Sequence, residues 1–172
     1  MEIFEVLSAP AMRARLIADA LSFTLSARHL PGVTRIALIG SITTSKHDPK
    51  DVDILVTVTD DADLTPLAML GRKLQGHALS IGKGGEIFLA DPQNKYLGRI
   101  CRWKVCEFGI RMSCDAIHCA RRQYLHDDLH VVKLSDELVA SPPIELWPQV
   151  VVRVPLPQDV EQGLIIPLQQ TQ

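Results

Sequence analysis

Residues 36–58, IALIGSITTSKHDPKDVDILVTV, contain two apolar runs separated by a polar loop. The two runs predict β-strands, the first ending at Gly40-Ser41 and the second beginning with Asp51 and Asp53. Because side chains alternate between the faces of a strand, Asp51 and Asp53 point to the same face. Two carboxylates on one face repel each other, and a divalent cation would resolve that conflict. We therefore predict that the pair holds Mg²⁺.

The composition indicates one domain with a substantial apolar core, because 47% of the 172 residues are hydrophobic. The formal net charge of −2 gives no strong signal for nucleic-acid binding. No apolar run approaches the roughly 20 residues of a membrane span. The first five residues, MEIFE, carry acids where a secretory signal carries bases. We therefore expect a cytoplasmic protein without a membrane partner.

Helix and strand patterns continue on both sides of the central stretch. Apolar residues recur at helical spacing over residues 9–29 and again over residues 66–75, where Gly76 is expected to end the helix. A third strand is predicted over residues 86–91, and an antiparallel partner over residues 96–105. The sequence therefore predicts an α/β (α+β) fold, in which a mixed β-sheet is flanked by helices.

The central stretch resembles the signature of the DNA polymerase β-like nucleotidyltransferase superfamily. That signature is an apolar residue, Gly, Gly or Ser, a short spacer, and then Asp, apolar, Asp or Glu, apolar. Here it reads Ile-Gly-Ser at residues 39–41 and, after nine further residues, Asp-Val-Asp-Ile at residues 51–54. The resemblance covers about residues 10–105 and implies a small, minimal member with a mixed-sheet nucleotidyltransferase core.

The resemblance implies roles for four residues of the signature. Asp51 and Asp53 would hold Mg²⁺, and Gly40 and Ser41 would cradle the phosphates of a nucleoside triphosphate. Many members of the superfamily carry a glycine and an arginine inside the spacer and a serine just before the first Asp. The spacer of this chain, residues 42–50, has no glycine and no arginine, and it ends in a lysine.

The superfamily also uses a third carboxylate on the adjacent strand, which helps to activate the acceptor hydroxyl. Glu86, at the start of the predicted third strand, is our candidate for that role, and Asp91 is the alternative. The two acids are five residues apart, so they point to opposite faces of the strand and only one can serve.

All four cysteines fall within the segment 99–122, which carries six basic residues against two acidic ones. Thiolates and imidazole are zinc ligands, so the segment is a candidate zinc site. Its ligands would be Cys101, Cys106, Cys114, and then His118 or Cys119. The segment lacks a Cys-x2-Cys pair, and the alternative is that the cysteines are small buried apolar residues.

The composition changes after residue 135. Six of the eleven prolines lie in residues 141–172, and residues 136–172 hold five acids against one base. We predict a nucleotidyltransferase-like domain over residues 1–135, followed by an extended, Pro-rich, acidic arm over residues 136–172. The arm would wrap the domain or reach a neighbouring chain, and residues 150–154 are predicted to add an edge strand.

Two functions follow from these patterns. The first is an enzyme that transfers a nucleoside monophosphate from an NTP to a hydroxyl acceptor with Mg²⁺. The second is a catalytically inactive nucleotidyltransferase-like module that binds a partner, either another protein or a second copy of this chain, with zinc as a stabilising ion.

Overall fold

The computed structural model describes residues 6–106, 122–126 and 129–172, and a seven-stranded mixed β-sheet lies at its centre. The order of the strands across the sheet is β5-β4-β3-β2-β1-β6-β7. The strands are β1 (Val33–Ile39), β2 (Asp51–Val58), β3 (Gly84–Ala90), β4 (Tyr96–Ile100), β5 (Leu125–His126), β6 (Ile144–Trp147) and β7 (Val151–Val152).

Helices of very different length accompany the sheet. They are α1 (Ala9–Ala27), α2 (Thr65–Leu79), α3 (Asp136–Ala140), α4 (Gln158–Val160) and α5 (Ile166–Gln170). A 3-10 turn lies at Ser41–Thr43, and a π-helical turn at Glu161–Ile165 joins α4 to α5. Residues 158–170 are called the C-terminal helical segment below. Within the described residues, no helix combines the length and the apolar character that crossing a membrane requires.

The strand β2 has an antiparallel neighbour on one side and a parallel neighbour on the other. It pairs antiparallel with β1 and parallel with β3, and α2 forms the crossover that a parallel pair needs. The outer pairs, β3 with β4, β4 with β5, β1 with β6 and β6 with β7, are all antiparallel. The predicted mixed sheet with flanking helices is therefore confirmed.

One face of the sheet is packed against α1, α2 and the C-terminal helical segment, and this layer forms the larger core. Alternate residues of the central strands point into it, as strand geometry requires. From β2 these are Val52, Ile54, Val56 and Val58. The helix α1 begins where the sequence predicts, because Pro10 lies in its first turn and the Ser8 hydroxyl accepts a hydrogen bond from the Ala11 amide at 3.4 Å.

The opposite face carries a smaller apolar cluster, and it is the face to which Asp51 and Asp53 belong. The cluster is formed by Ala37, Ile39, Leu55, Phe88, Ala90, Tyr96 and Val139. Partly buried residues from the segment before α3 and from α3 itself, such as Leu134 and Leu138, pack against it. Among the described residues, these short segments are what covers this face, and Asp51 is exposed.

Two predicted boundaries are wrong. The helix α2 continues through Gly76 to Leu79, because Ala78 lies on the same helix face as Leu74 and both are fully buried in the core. Tertiary burial outweighs the cost of one glycine in the helix. The strand β4 ends at Ile100, five residues earlier than the sequence suggests.

Residues 136–172 differ most from expectation, because much of this segment belongs to the folded layers instead of forming an extended arm. The strand β6 pairs with β1, and the C-terminal helical segment packs on α1. The edge strand predicted over residues 150–154 is confirmed as β7. The apolar residues explain the difference: Ile144 and Leu146 alternate as in a strand, and both are buried.

Candidate functional site

The strands β2 and β3 place Asp53 and Glu86 side by side. The two residues are register partners in the parallel pair, so their side chains point to the same face of the sheet. Neighbouring strands lie about 4.8 Å apart, which is within reach of two acidic side chains. Asp51 shares that face, two residues earlier on β2, and its partner in β3 is Gly84. The structure thus gathers the three predicted acids at one end of β2 and β3.

The electrostatics of Asp53 reflect this crowding. Burial, together with the negative charges of Asp51 and Glu86, raises the pKa of its carboxyl from 3.8 to about 7, and burial is the largest of these causes. In the described part of the chain, no lysine, arginine or histidine forms a salt bridge with Asp51 or Asp53. Asp53 is therefore a half-buried acid that forms no ion pair with any side chain of the described residues.

Glu86 has a different environment, because arginines from the adjoining strand region surround it. Arg102 donates a short hydrogen bond to Oε2 of Glu86, and Nη1 of Arg99 lies 3.6 Å from the same atom. The Glu86 side chain is only 12% exposed, so these ion pairs are screened less than surface pairs. Glu86 thus lies next to Asp53 while its charge is offset from the other side.

Asp91, the alternative third acid, lies at the far end of β3 and has a structural role. Its Oδ1 accepts hydrogen bonds from the backbone amides of Gln93 and Lys95, both at 2.9 Å. These bonds shape the turn between β3 and β4, as aspartate side chains commonly do in turns. The structure therefore brings Glu86, and not Asp91, to Asp53.

Asp51 and Asp53 are suited to bind a magnesium ion together. Among residues 6–106, 122–126 and 129–172, no group of three or more His, Cys, Asp or Glu side chains is placed to hold a metal. Mg²⁺ is commonly held by one or two carboxylates, and substrate phosphates and water complete its coordination. Asp51 and Asp53 offer two such carboxylates, and the lack of an ion pair at Asp53 within the described residues favours a cation there.

The Gly40-Ser41 turn lies directly against Asp53. Gly40 adopts a φ of +76°, which favours glycine, and the Cβ of any other residue would lie 2.6 Å from Oδ2 of Asp53. Ser41 then opens the 3-10 turn, in which the Thr43 amide donates to the Gly40 carbonyl at 3.1 Å. The glycine therefore allows the close approach of this turn to Asp53.

The spacer between Ser41 and Asp51 is held by basic residues that lie outside it. Lys83, just before β3 and almost fully buried, donates to Oδ1 of Asp48 at 2.6 Å. Arg13, from α1, reaches the spacer from the other side. Lys46 and Lys50, the lysines of the spacer itself, are exposed. The sequence shows no arginine in the spacer, and it gives no sign that distant residues supply the positive charge.

A cavity of about 390 Å³ adjoins Glu86 on the side away from Asp53. Arg99, Arg102, Trp103 and His126 line it together with Glu86. Arg99 and His126 face each other as register partners of β4 and β5. The sequence analysis did not identify these lining residues as a site, since they become neighbours only when β5 pairs with β4. Their signal in the sequence is the excess of basic residues after residue 98.

The predicted zinc ligands divide into two groups. Cys114, His118 and Cys119 lie outside the described residues. Cys101 is buried at the end of β4, and its amide donates to the Tyr124 carbonyl at 2.7 Å. The sulfur of Cys106 accepts a hydrogen bond from the Tyr124 amide at 3.4 Å. Cys101 and Cys106 therefore both contact the backbone of Tyr124. Zinc binding stays a prediction.

Comparison with known proteins gives no match to a family model, to a curated protein or to a solved structure. The likeness to the nucleotidyltransferase superfamily therefore rests on the residues of the signature and on their positions in the sheet.

Proposed function

We propose that this chain is a nucleotidyltransferase, which transfers a nucleoside monophosphate from an NTP to a hydroxyl acceptor with Mg²⁺. One observation carries the proposal, namely the position of Asp53 between Asp51 and Glu86 with a pKa of about 7. Acids gathered at one end of two neighbouring strands, one of them with a strongly raised pKa, are typical of functional sites. A purely structural role would not require a half-buried acid beside two others.

Asp51 and Asp53 would hold the metal together with the phosphates of the nucleotide. When bound, Mg²⁺ neutralises phosphate charge and lowers the pKa of an attacking hydroxyl. Gly40 and Ser41 would lie along the phosphates, since the lack of a side chain at Gly40 permits close approach. Asp53 loses its proton near pH 7, so its binding form is available at neutral pH.

The transfer itself would join the acceptor oxygen to the α-phosphorus of the NTP. The bond from that phosphorus to the oxygen leading to the β-phosphate would break, and pyrophosphate would leave. The carboxylate of Glu86, on the wall of the cavity, would accept the proton of the acceptor hydroxyl. Arg102 and Arg99 would orient Glu86 for this task.

The cavity beside Glu86 suggests the size of the acceptor. Its volume of about 390 Å³ matches the roughly 300–1,000 Å³ of small-molecule sites. Arg99, Arg102 and His126 on its wall would suit an acceptor that carries a phosphate or a carboxylate. We therefore favour a small, anionic hydroxyl compound over a macromolecular acceptor.

A second candidate function is an inactive nucleotide- or partner-binding module on the same scaffold. The observation that favours it is the ion pair of Glu86 with Arg102, which offsets the charge that a proton acceptor needs. In this case the acids would bind Mg²⁺–nucleotide without transfer.

The first test is calorimetric binding of the magnesium complexes of ATP, GTP, CTP and UTP. We expect the wild-type chain to bind at least one, and Asp53→Asn to weaken that binding by about tenfold or more, because a ligand of the metal is lost. Asp60→Asn, at the opposite end of β2, should bind as the wild type does. The proposal fails if no nucleotide binds, or if Asp53→Asn binds unchanged.

The second test separates the enzyme from the inactive module. Pyrophosphate release is measured with the bound NTP and a panel of small phosphorylated and carboxylated alcohols. The enzyme predicts release with at least one acceptor, and Glu86→Gln should slow it by about 100-fold or more while nucleotide affinity is kept. Nucleotide binding without any release would instead support the inactive module.

A further inference from the structure

Arg13 is a buried cation on the face of α1 that packs against the main core. It lies one turn before Leu16 and Ile17, the first core residues of that face, and it is only 6% exposed. A buried guanidinium is costly unless each of its donors finds a partner. Arg13 shares the helix face of Leu16, Ile17 and Ala20, whereas Arg15 on the same helix is exposed. The partners of Arg13 therefore show what it does.

Arg13 binds the loop that joins β1 to β2 through three backbone carbonyls. Its Nη2 donates to the Ile42 carbonyl at 3.1 Å and to the Thr44 carbonyl at 2.8 Å, and its Nη1 donates to the Lys46 carbonyl at 3.0 Å. One side chain thus fixes residues 42–46, the part of the spacer that directly follows Ser41. We call residues 41–47 the signature loop.

The remaining donors of Arg13 bind the C-terminal helical segment. Nε donates to Oδ2 of Asp159 at 2.6 Å, and Nη2 donates to Oδ1 of Asp159 at 3.3 Å. Such two-point pairing fixes the plane of the guanidinium. Oδ1 of Asp159 also accepts the Val160 amide at 2.9 Å, so the carboxylate is itself oriented.

The C-terminal helical segment is firmly seated, so Asp159 is presented in a defined position. Val160, Leu164, Ile165 and Leu168 are buried in the main core. At Gly163 the segment approaches α1 so closely that a Cβ would lie 2.9 Å from Cγ2 of Ile17. The packing of this segment against α1 thus determines where the carboxylate of Asp159 lies.

We propose that Arg13 is a positioning residue for nucleotide binding, and that Asp159 makes the C-terminal helical segment part of the site. The role in binding rests on the function proposed above, whereas the ordering of the signature loop does not. Asp159 orients the guanidinium of Arg13, and the guanidinium donates hydrogen bonds to three backbone carbonyls of the signature loop. These hydrogen bonds fix the position of the loop. Loss of the Asp159 charge should therefore loosen the loop from a distance.

This arrangement also accounts for the unusual spacer of the chain. The superfamily that the signature resembles often has an arginine within the spacer, and here the nearest buried arginine comes from α1. Because Arg13 uses its donors on carbonyls and on Asp159, it does not have to touch phosphate. Its contribution is to fix the backbone that would lie along the phosphates.

The test combines hydrogen–deuterium exchange over residues 41–47 with calorimetric binding of the NTP that the wild type prefers. Asp159→Asn keeps the shape of the side chain and removes its charge. We expect loop exchange to become faster and the dissociation constant of Mg²⁺–NTP to rise about 3- to 30-fold. Asp159→Glu, which restores a carboxylate, should recover much of both effects.

Two further variants separate positioning from general stability. Arg13→Lys keeps the charge, but a lysine cannot bridge three carbonyls and a carboxylate, so it should behave like Asp159→Asn. Arg15→Lys is the matched control on the same helix and should change neither readout. Glu161→Gln, an exposed acid of the C-terminal helical segment, is the control for Asp159→Asn.

The outcomes are distinct for the two proposals. Unchanged loop exchange in Asp159→Asn, at unchanged helix content, would overturn the inference whatever the nucleotide result. Faster exchange with unchanged Mg²⁺–NTP affinity would overturn the positioning role and leave the proposed function standing. If the wild type binds no NTP, the proposed function and the positioning role fail together, and exchange alone decides whether Asp159 orders the loop.

Discussion

The side chain of Asp53 is half-buried, and it lies close to two other acids, Asp51 and Glu86. A carboxyl with a pKa of about 7 is protonated in the folded chain at pH values where an unfolded chain has released its proton. Folding and proton uptake are therefore linked through this residue. The same side chain is the one on which the proposed metal site depends.

This linkage gives a prediction for stability against pH. Since the folded pKa of Asp53 is raised above 3.8, its contribution is most favourable below about pH 4 and is lost as the pH rises to about 7. At 1.36 kcal/mol per pKa unit, the loss is at most about 4 kcal/mol. At pH 8, Asp53→Asn should therefore be about 1–3 kcal/mol more stable than the wild type. Urea unfolding at pH 5 and pH 8 measures this, and an equal difference at both pH values would contradict it.

Magnesium should counteract the loss of stability that ionisation of Asp53 causes. At pH 8 the ion would stabilise the folded chain, because it offsets the charge of Asp53 that burial disfavours. We expect millimolar Mg²⁺ to raise the unfolding temperature of the wild type, but not that of Asp53→Asn. Asp60→Asn serves as the control and should respond like the wild type. Equal shifts in all three proteins would show that the ion acts elsewhere.

Gly40 is the second residue on which the site depends. Its positive φ and the nearby Oδ2 of Asp53 both disfavour a side chain. Gly40→Ala should therefore cost about 1–3 kcal/mol in the free energy of unfolding and weaken Mg²⁺–NTP binding. Thermal unfolding and calorimetry measure the two effects. Gly76→Ala is the control, since nothing lies within 4 Å of its added Cβ and its φ is helical.

At the scale of elements, the sequence predicts the inner strands well and the C-terminal elements poorly. The strands β1 and β2 and the helix α1 combine clear periodicity with clear boundary residues, which is why their predicted positions agree with the structure. The prolines and acids after residue 135 obscure the strand β6, because proline content is a property of composition and β-pairing is a property of tertiary contact. For the same reason, no sequence pattern links Arg13 to Asp159.

The contact between α1 and the C-terminal helical segment gives a prediction at this scale. Gly163→Ala would place a methyl group 2.9 Å from Cγ2 of Ile17, so the two elements must separate slightly. We expect a loss of about 1–3 kcal/mol in the free energy of unfolding, as is typical of overpacked cores. Ile17→Ala removes Cγ2, so Ile17→Ala together with Gly163→Ala should cost less than the sum of the two single changes. Simple additivity of the two single changes would argue against the contact.

At the scale of the whole molecule, the two faces of the sheet carry different features. The long helices and the C-terminal helical segment lie on one face of the sheet, and Asp51, Asp53 and Glu86 belong to the other. Of the described residues, the helix α3 and those just before it cover part of this second face. The sequence predicts the acids on this face from strand alternation, but it does not predict the cavity, whose walls come from strands that are distant in the chain.

The pairing of β6 with β1 has a consequence for how the chain folds during synthesis. Because β6 is the partner of β1, one edge of β1 has no neighbour until the ribosome has released residues 144–147. Exposed strand edges of this kind promote association between nascent chains. The apolar residues of β1 therefore stay incompletely paired until residues 144–147 have been synthesised. Slower translation of residues 130–147 should thus lower the soluble yield, whereas slower translation of residues 1–30 should leave it unchanged.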